Sequence, residues 1–412
     1  MPAPERLRVV GGLWLALLGP ACAAEALPAP EPHYARQAPA DPSDELFATE
    51  NLVRFELELS PQALEQLAED PYTFVFGTLR YRDHTLRSIG VRLKGEASFR
   101  ELDDKPAFRL KLDEFVPGQR LFGLKRLTLN NDVQDPSGLS QSLAYRLFRA
   151  AGLPAPRCNH ALLYVNGEYH GLYSNVETED KTFLARWFSS DEGNLYEEGG
   201  SDLLPGSAAL FELETNEAEN DRSDLEALIA AIASATPESF SASVGEQLEL
   251  DRFLSFAALE ALAGGEDGYS YVLGAPNNFR LYRDPETDRF VFLPWGLDRA
   301  LRPRFEPKLV HGWVPALDRY RSVWSTRSVL LSGCLASSDC RQAFTERLRE
   351  LAALFEQLDL AALARAEWQL IDAAGRADRR KPADDAYVEH ARGLLLEYIA
   401  ERPAALRAEL PP

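Results

Sequence analysis

Two different hydrophobic periodicities divide this chain of 412 residues near residue 180. Before that point apolar and polar residues alternate, as over Ile89 to Lys94, which is the pattern of half-buried strands. After it, apolar residues recur every three or four positions, as over Leu250 to Ala263, which is the pattern of amphipathic helices. We therefore expect an α+β fold with a small β-rich lobe over 50–180 and a larger, mostly helical lobe over 181–412.

The first 23 residues are predicted to be a secretory signal peptide. Arg6 precedes a short apolar run, Leu13 to Leu18, and Ala21-Cys22-Ala23 supplies the small residues of a cleavage site. The run is too short to span a bilayer, so the mature chain is expected to be exported and to have no transmembrane segment. A second interpretation, in which Cys22 is the modified cysteine of a lipoprotein, stays open.

The residues that follow and the overall charge narrow the possible partners. Residues 24–49 are rich in proline and alanine and are predicted to be a linker with nothing to pack. The net charge is −20, and no run of Lys or Arg is interleaved with aromatic residues, which argues against a nucleic-acid partner.

In an oxidising compartment Cys334 and Cys340 are predicted to form a disulfide, and Cys158 to stay free.

Two neighbouring strands of the first half are predicted to carry cations on the face that points away from the core. Arg92 and Lys94 belong to one of these strands, and Arg109 and Lys111 to the next. Since side chains alternate along a strand, the apolar residues between these cations face inward. The sequence thus predicts a small β lobe with a cationic face.

A two-residue turn is predicted at Asn166-Gly167, between strands over 161–165 and 168–176. Asn-Gly is the preferred pair of a type I′ hairpin turn, in which both residues adopt positive φ. His160 and His170 lie on either side of this turn, and we expect them to face solvent rather than to bind a metal.

One stretch, residues 260–300, carries polar residues suited to phosphoryl transfer. Asp267 lies in the loop after a predicted helix, Asn278 lies just before a predicted hairpin over 279–293, and Asp298 follows that hairpin. A two-stranded ribbon returns the chain to its start and so brings these residues together. Carboxylate and amide oxygens are ligands that Mg²⁺ prefers, and a further carboxylate can accept a hydroxyl proton. On the pattern alone, an equal alternative is that they are turn and cap residues.

Ordered, spaced motifs cover the chain from about residue 50 to 305. They include Gly90-Val-Arg-Leu-Lys-Gly95, Gly123-Leu-Lys-Arg-Leu-Thr-Leu-Asn-Asn131, Val165-Asn-Gly-Glu-Tyr-His-Gly-Leu-Tyr173, Asn277-Asn-Phe-Arg-Leu-Tyr282 and Pro294-Trp-Gly-Leu-Asp298. In these motifs the chain resembles the CotH kinase family, the spore-coat-protein-H-like atypical protein kinases. The resemblance implies a two-lobed, protein-kinase-like fold that binds ATP with Mg²⁺ or Mn²⁺ and phosphorylates serine or threonine.

The resemblance also implies roles for single residues around the nucleotide and the metal. Asp267 corresponds to the catalytic aspartate, and Asn278 and Asp298 correspond to the metal-binding asparagine and aspartate of kinases. Trp295 would offer a flat apolar face to adenine, with core packing as an equal alternative. The motif departs from the family at Gly296, where many relatives carry aspartate.

The cation that grips phosphate is expected on the cationic strands. Lys111 is preferred over Lys94, with Arg109 beside them, although either lysine could instead be a solvated strand residue. Glu177, at the end of the first hairpin, is expected to pair with that lysine as a helix glutamate does in other kinases, or else to be a surface carboxylate.

Two functions follow from this resemblance and stay open at the level of sequence. The first is an exported Ser/Thr kinase that acts on envelope or secreted proteins, or on itself. The second is a non-catalytic envelope or coat assembly protein that keeps the kinase-like fold as a scaffold.

Overall fold

The structure is a computed structural model, and it describes residues 41–265, 267–272, 274–303, 320 and 322–412. The predicted signal peptide, with the alternative lipid attachment at Cys22, lies outside these residues. So does most of the predicted linker.

A closed barrel forms the first half of the described chain. Its seven strands are β1 (Val53–Leu59), β2 (Val75–Tyr81), β3 (His84–Lys94), β4 (Ala107–Lys111), β5 (Arg126–Asn130), β6 (Cys158–Val165) and β7 (Glu168–Val176). They pair in the order β1, β2, β3, β4, β5, β7, β6. The barrel closes where β1 runs parallel to β6, with Val53 opposite Ala161, while the other neighbours are antiparallel.

The predicted alternation positions the side chains of the barrel. In β3, Ile89, Val91 and Leu93 are buried in the barrel core, and Arg92 and Lys94 project from its outer face. Closure leaves no free strand edge, so the backbone polar groups of these strands are paired around the ring. The sequence predicts most of these strands but misses β5, whose five residues are short for a periodicity signal.

A second, smaller sheet and most of the helices make up the rest of the described chain. The strands are β8 (Leu195–Glu197), β9 (Glu212–Leu213), β10 (Phe279–Asp284) and β11 (Arg289–Pro294), in the order β11, β10, β8, β9. The helices are α1 (Pro61–Glu69), α2 (Ser140–Ala150), α3 (Lys181–Trp187), α4 (Ser223–Ser234), α5 (Phe240–Gly245), α6 (Leu250–Ala263), α7 (Val329–Ala336), α8 (Ser338–Gln357), α9 (Leu360–Ala377) and α10 (Asp385–Glu409). The predicted α+β class is confirmed.

Helix α6 lies at the centre of the helical half. It packs against α8 on one side and against β11 on the other, so the helix and the β10–β11 hairpin share one hydrophobic core. Phe253 and Phe256 of α6 meet Phe292 of β11 with ring centroids 5.0 and 5.3 Å apart. This packing fixes the hairpin relative to the end of α6. No helix among the described residues is both long and apolar enough to cross a membrane.

The two predictions about cysteines are confirmed. Cys334, near the end of α7, and Cys340, in the first turn of α8, form a disulfide with their Cα atoms 5.1 Å apart. Cys158 is buried at the start of β6 and is free. The short separation of Cys334 and Cys340 spans only the corner between two helices, which brings their side chains together.

The linker predicted over 24–49 is wrong for its last part. Residues 41–49 form a short 3₁₀ turn at Pro42–Leu46 and then run against the barrel, with Leu46 and Phe47 buried. Arg157 holds this segment through Asp44 at 2.5 Å and Asp41 at 3.4 Å. Proline and alanine in the sequence do not reveal this anchoring, because it depends on an arginine more than a hundred positions away.

The expected solvent exposure of His160 and His170 is also wrong. Their exposed fractions are 1% and 8%. Helices α2 and α9 cover His160, and His170 packs beside the rings of Phe108 and Tyr173, with centroids 5.9 and 6.3 Å away. Nε2 of His160 lies 3.4 Å from the Glu367 carboxylate of α9. The hairpin turn itself is confirmed, since Asn166 and Gly167 have φ of 51° and 85°.

Candidate active site

The end of the β10–β11 hairpin brings three of the predicted site residues together. Phe279 pairs with Pro294, so the residues just before β10 and just after β11 are neighbours. The backbone N–H of Trp295 donates to the carbonyl of Asn278 at 3.2 Å. A 3₁₀ turn over Leu297–Arg299 then carries Asp298. Asn278, Trp295 and Asp298 thus share one end of the ribbon.

The loop that carries Asp267 is tied to the same place. Helix α6 ends at Gly264, which has a φ of 71°, and Asp267 lies in the loop that follows. The Asn278 Nδ2 group donates to the carbonyl of Asp267 at 2.9 Å. The Asp267 carboxylate lies 3.9 Å from the guanidinium of Arg299, the residue next to Asp298. The helix end and the hairpin end therefore form one constellation.

Glycine is required at position 296 by two features of this constellation. Gly296 has a φ of 58°, in the left-handed region that strains other residues. A Cβ at this position would overlap Oδ1 and Cγ of Asn278. An aspartate at this position would therefore displace the Asn278 side chain from the position it has in this chain.

Asp298 lies in an electrostatically unusual environment. Burial raises the pKa of Asp298 to about 6, and the charges of Asp135 and Asp267 raise it further, while those of Lys94 and Arg302 act in the opposite direction. A partly buried carboxylate near two others is stabilised in its charged form by any added cation.

Lys94 approaches the hairpin end from the outer face of the barrel. Its Nζ donates to Oδ1 of Asn130 on β5 at 2.6 Å and lies 6.0 Å from the ring centroid of Trp295. Burial lowers the pKa of Lys94 to about 8, and the charge of Arg109 lowers it further against the opposing effect of Asp298. Lys94 of the barrel and Asp298 of the hairpin therefore lie close enough to influence each other electrostatically.

Arg109 adds a second cation beside Lys94. It lies on β4, directly opposite Arg92 of β3, and projects from the same outer face. Burial lowers the pKa of Arg109 to about 10, as do the charges of Arg280 and Arg92. This clustering of cations indicates a surface suited to an anion.

Lys111 does not belong to this cluster, and the predicted preference for it over Lys94 is corrected. Its Nζ pairs with the Glu114 carboxylate at 2.6 Å and lies 5.9 Å from the ring of Phe74. In the antiparallel register Lys94 is opposite Ala107, which leaves Lys111 four residues, or about 13 Å, further along β4. The two lysines share a face of the sheet but not an end of it.

The predicted pairing of Glu177 with a site lysine is wrong. Glu177 has an exposed fraction of 2%, and its carboxylate is bound by Arg157 at 2.7 Å and by Arg186 of α3. The residue follows β7 and shares Arg157 with Asp41 and Asp44 of the 41–49 segment. Its role in the described structure is to neutralise two arginines.

Replacing Glu177 by alanine is expected to lower the free energy of unfolding by about 3 kcal/mol, because the guanidinium groups of Arg157 and Arg186 would both lose the buried carboxylate that they share. Affinity for ATP, the nucleotide that the family resemblance implies, should not change. Chemical denaturation measures the first quantity and calorimetric titration the second. Glu114→Ala, which removes the partner of the half-exposed Lys111, serves as the control and should cost less than about 1 kcal/mol. A loss of nucleotide affinity in Glu177→Ala with unchanged stability would contradict this assignment.

Arg280 and its carboxylate partners form part of the site that the sequence analysis misses. Arg280 is almost fully buried in β10, opposite Glu197 of β8, whose carboxylate it contacts at 2.7 Å. Its Nε lies 3.3 Å from the Glu179 carboxylate, and its guanidinium lies 5.1 Å from the Trp295 ring centroid. An arginine between two buried apolar residues, as in Phe279-Arg280-Leu281, is the signal that could have indicated this network.

Glu198 is a second residue that sequence reasoning misses. Its Oε1 accepts the backbone N–H of Asn278 at 3.0 Å, and its Oε2 has no hydrogen-bond partner among the described residues. Burial raises the pKa of Glu198 to about 7. Asn278 has a φ of 55°, so this contact helps to hold a backbone conformation that few residues adopt.

The described residues contain no group of three His, Cys, Asp or Glu side chains that could hold a metal ion. The donor set at the hairpin end still suits Mg²⁺ or Mn²⁺. Asn278 uses its amide N–H on the Asp267 carbonyl, which leaves Oδ1 as an acceptor, and Asp298 adds a half-buried carboxylate. Mg²⁺ is usually bound by one or two carboxylates together with substrate phosphates, so a third protein carboxylate is not needed.

Comparison with known proteins gives one family. The family model described as CotH kinase protein matches residues 91–406, which is more than half of the chain. The inner spore coat protein H of Bacillus subtilis (strain 168) is 24% identical over 299 residues, covering 70% of this chain and 79% of that protein. The inner spore coat protein H-like protein of the same strain is 31% identical over 78 residues, covering 19% of this chain and 24% of that protein.

A solved structure was also matched. It is the Shewanella oneidensis MR-1 toxin–antitoxin system HipA and HipB in complex with its operator DNA. The alignment covers 87% of this chain and 74% of that chain, with a TM-score of 0.33 and 12% identity. A likeness at this level carries no argument about fold or function.

Proposed function

The chain belongs to the CotH kinase protein family, and from that premise we propose that it transfers the γ-phosphoryl group of ATP to serine or threonine hydroxyls of a protein. In this proposal the barrel is the small lobe of a two-lobed, kinase-like fold, over residues 50–180. The helical half, over 181–412, is the larger lobe and carries the catalytic loop and the hairpin.

One observation carries the proposal. Lys94 of the barrel and Asp298 of the hairpin are close enough for the charge of each to shift the pKa of the other, and the Trp295 ring lies 6.0 Å from the lysine Nζ. A cation from one lobe opposite a carboxylate from the other is the arrangement that kinases use to hold the phosphates of a metal-bound nucleotide. Arg109 adds a second positive charge beside Lys94.

Each chain residue of the site has a specific part in this function. Asn278 and Asp298 would hold Mg²⁺ or Mn²⁺, which would neutralise charge on the phosphates. Lys94 and Arg109 would hold the phosphate oxygens. The Asp267 carboxylate, whose side chain is 27% exposed, would accept the proton of the acceptor hydroxyl.

We further propose that the protein acts outside the cytoplasm, on a protein of the cell envelope or a secreted protein, or on itself. The predicted signal peptide supports export. The relative named inner spore coat protein H supports a place in an outer layer of the cell or spore. The acidic sequence, with a net charge of −20, disfavours nucleic acid as a partner.

The experiment that tests this function is phosphate transfer from γ-labelled ATP by the purified protein, with Mg²⁺ or Mn²⁺ present. The protein itself and dephosphorylated casein serve as acceptors, and mass spectrometry identifies the modified residues. Metal-dependent phosphate on serine or threonine is the expected result. A non-catalytic coat or envelope scaffold instead predicts no incorporation in any condition, and that result would overturn the proposal.

The two lysines of the cationic face provide a matched pair for this assay. Lys94→Ala is expected to lower the transfer rate by roughly 10²-fold, since it removes a partly buried positive charge near Asp298 that would stabilise the phosphate in the proposed reaction. Lys111→Ala should transfer phosphate like the wild type, because Lys111 contacts Glu114 and Phe74 instead. Initial rates at saturating ATP measure both effects. The opposite ranking of the two variants would restore Lys111 as the phosphate-binding lysine.

A further inference from the structure

A buried glutamate at the end of α6 binds the turn that follows Asp267. Oε1 of Glu260 accepts the backbone N–H of Tyr269 at 2.8 Å, and Oε2 accepts the backbone N–H of Ser270 at 2.8 Å. The exposed fraction of Glu260 is 2%. One carboxylate thus satisfies two successive backbone donors in a place that water hardly reaches.

The position of this carboxylate is costly in two ways. Glu260 lies in the last turn of α6, where the helix dipole disfavours a negative charge. Its burial also disfavours ionisation, and burial raises the pKa of Glu260 to about 7. A glutamine or an apolar residue would avoid both costs, so the two backbone hydrogen bonds are the benefit that this residue type supplies.

The chain makes room for Glu260 at Gly268, the residue next to Asp267. A Cβ at position 268 would overlap Oε1 of Glu260 and approach its Cδ at 3.0 Å. Glycine at 268 is therefore needed for close approach of the loop backbone to the carboxylate. Gly274, in the same interval between α6 and β10, has nothing within 4 Å of such a Cβ.

Asp267 is consequently held from two sides. The Glu260 carboxylate fixes the turn directly after it, and the Asn278 amide fixes its own carbonyl at 2.9 Å. Tyr269 is anchored further by its hydroxyl, which donates to Asp202 at 3.0 Å. The Asp267 side chain extends from this fixed backbone, 27% exposed and 3.9 Å from the Arg299 guanidinium.

We propose that Glu260 is a positioning residue for phosphoryl transfer, which sets the location of the Asp267 carboxylate through the Tyr269 and Ser270 amides. The inference rests on the proposed function and adds to it a residue that touches neither nucleotide nor acceptor. Positioning of a catalytic group contributes strongly to rate, and a displacement of about 1 Å can cost roughly 10²-fold.

The test compares variants on both sides of this contact. Glu260→Gln places an N–H₂ group against a backbone N–H, and Gly268→Ala pushes the carboxylate away. Both are expected to lower the rate of phosphate transfer by about 10²-fold, while the Kd for Mg·ATP changes by less than about threefold. Glu260→Asp, which keeps the charge on a shorter side chain, should recover part of the rate.

Two controls separate positioning from stability. Gly274→Ala fills open space in the same interval and should transfer like the wild type. Glu367→Gln replaces another buried glutamate, one that binds Ser142 and His160, and should lower the melting temperature without lowering the rate of the folded protein. Transfer rates in Glu260→Gln and Gly268→Ala within twofold of the wild type would overturn the inference. So would a fall in transfer rate that is fully accounted for by a smaller fraction of folded protein.

Hydrogen exchange keeps the inference testable apart from the proposed function. The peptide containing Tyr269 and Ser270 should be protected in the wild type, exposed in Glu260→Gln and still protected in Glu367→Gln. If the wild type transfers no phosphate, the proposed function fails. Equal exchange of this peptide in wild type and Glu260→Gln would show that the carboxylate does not hold the loop, and the inference would fail by itself.

Discussion

Asp298→Asn is expected to lower phosphate transfer by about 10³-fold or more and to weaken Mg·ATP binding in the same variant. The change keeps the shape of the side chain but removes the negative charge that a divalent cation needs. Because burial raises the pKa of Asp298 to about 6, a neutral amide relieves a desolvation cost. The fold should therefore be retained, and the loss of activity should not come from unfolding.

The measurements are initial transfer rates and calorimetric titration with Mg·ATP. Asp288→Asn is the matched control, since Asp288 lies at the turn of the same hairpin, has a side chain that is 85% exposed and pairs with Arg283. It should behave like the wild type in both measurements. Full transfer by Asp298→Asn, or loss of transfer with unchanged affinity for Mg·ATP, would remove Asp298 from the metal site.

Asp267→Ala is expected to separate binding from chemistry. Transfer should fall by roughly 10²- to 10⁴-fold, the usual contribution of a positioned general base. Affinity for Mg·ATP should stay nearly unchanged, because the contact of the Asp267 residue with Asn278 uses its backbone carbonyl, which the substitution retains. Single-turnover transfer at saturating Mg·ATP measures the chemical step directly.

The pair of aspartate variants assigns the two roles by contrast. Loss of transfer and nucleotide affinity together identifies the metal ligand, and loss of transfer alone identifies the base. If Asp267→Ala transferred phosphate as fast as the wild type, the role given to Asp267 would be wrong even with the fold intact. If neither variant nor the wild type transferred phosphate, the scaffold function would be the one that fits.

Local patterns in the sequence predict the elements that depend on near neighbours. Alternation along β3 indicates which residues fill the barrel, and Asn166-Gly167 predicts a hairpin turn that the structure contains at positive φ. The spacing of Cys334 and Cys340 predicts their disulfide. The hairpin between Asn278 and Asp298 follows from a turn flanked by two apolar runs, and its closure brings both ends together.

Contacts between distant segments are not encoded in such patterns. The choice between Lys94 and Lys111 depends on the register of β3 against β4, which places the two lysines at opposite ends of a shared face. The exposure of His160 depends on α9, which lies about two hundred positions later in the chain. The burial of residues 41–49 depends on Arg157.

The sequence by itself determined the α+β class, the strand and hairpin periodicities and the grouping of Asp267, Asn278 and Asp298 around one end of the hairpin, because these follow from spacing along the chain. Only the tertiary structure determined which lysine lies near these three residues and which carboxylates accept hydrogen bonds from the backbone around them. Glu177 forms ion pairs with two arginines, and Glu260 and Glu198 accept hydrogen bonds from backbone N–H groups of the loop and the hairpin. The partner of a charged side chain depends on burial and on distance, and both are set when the barrel and the helical half pack together.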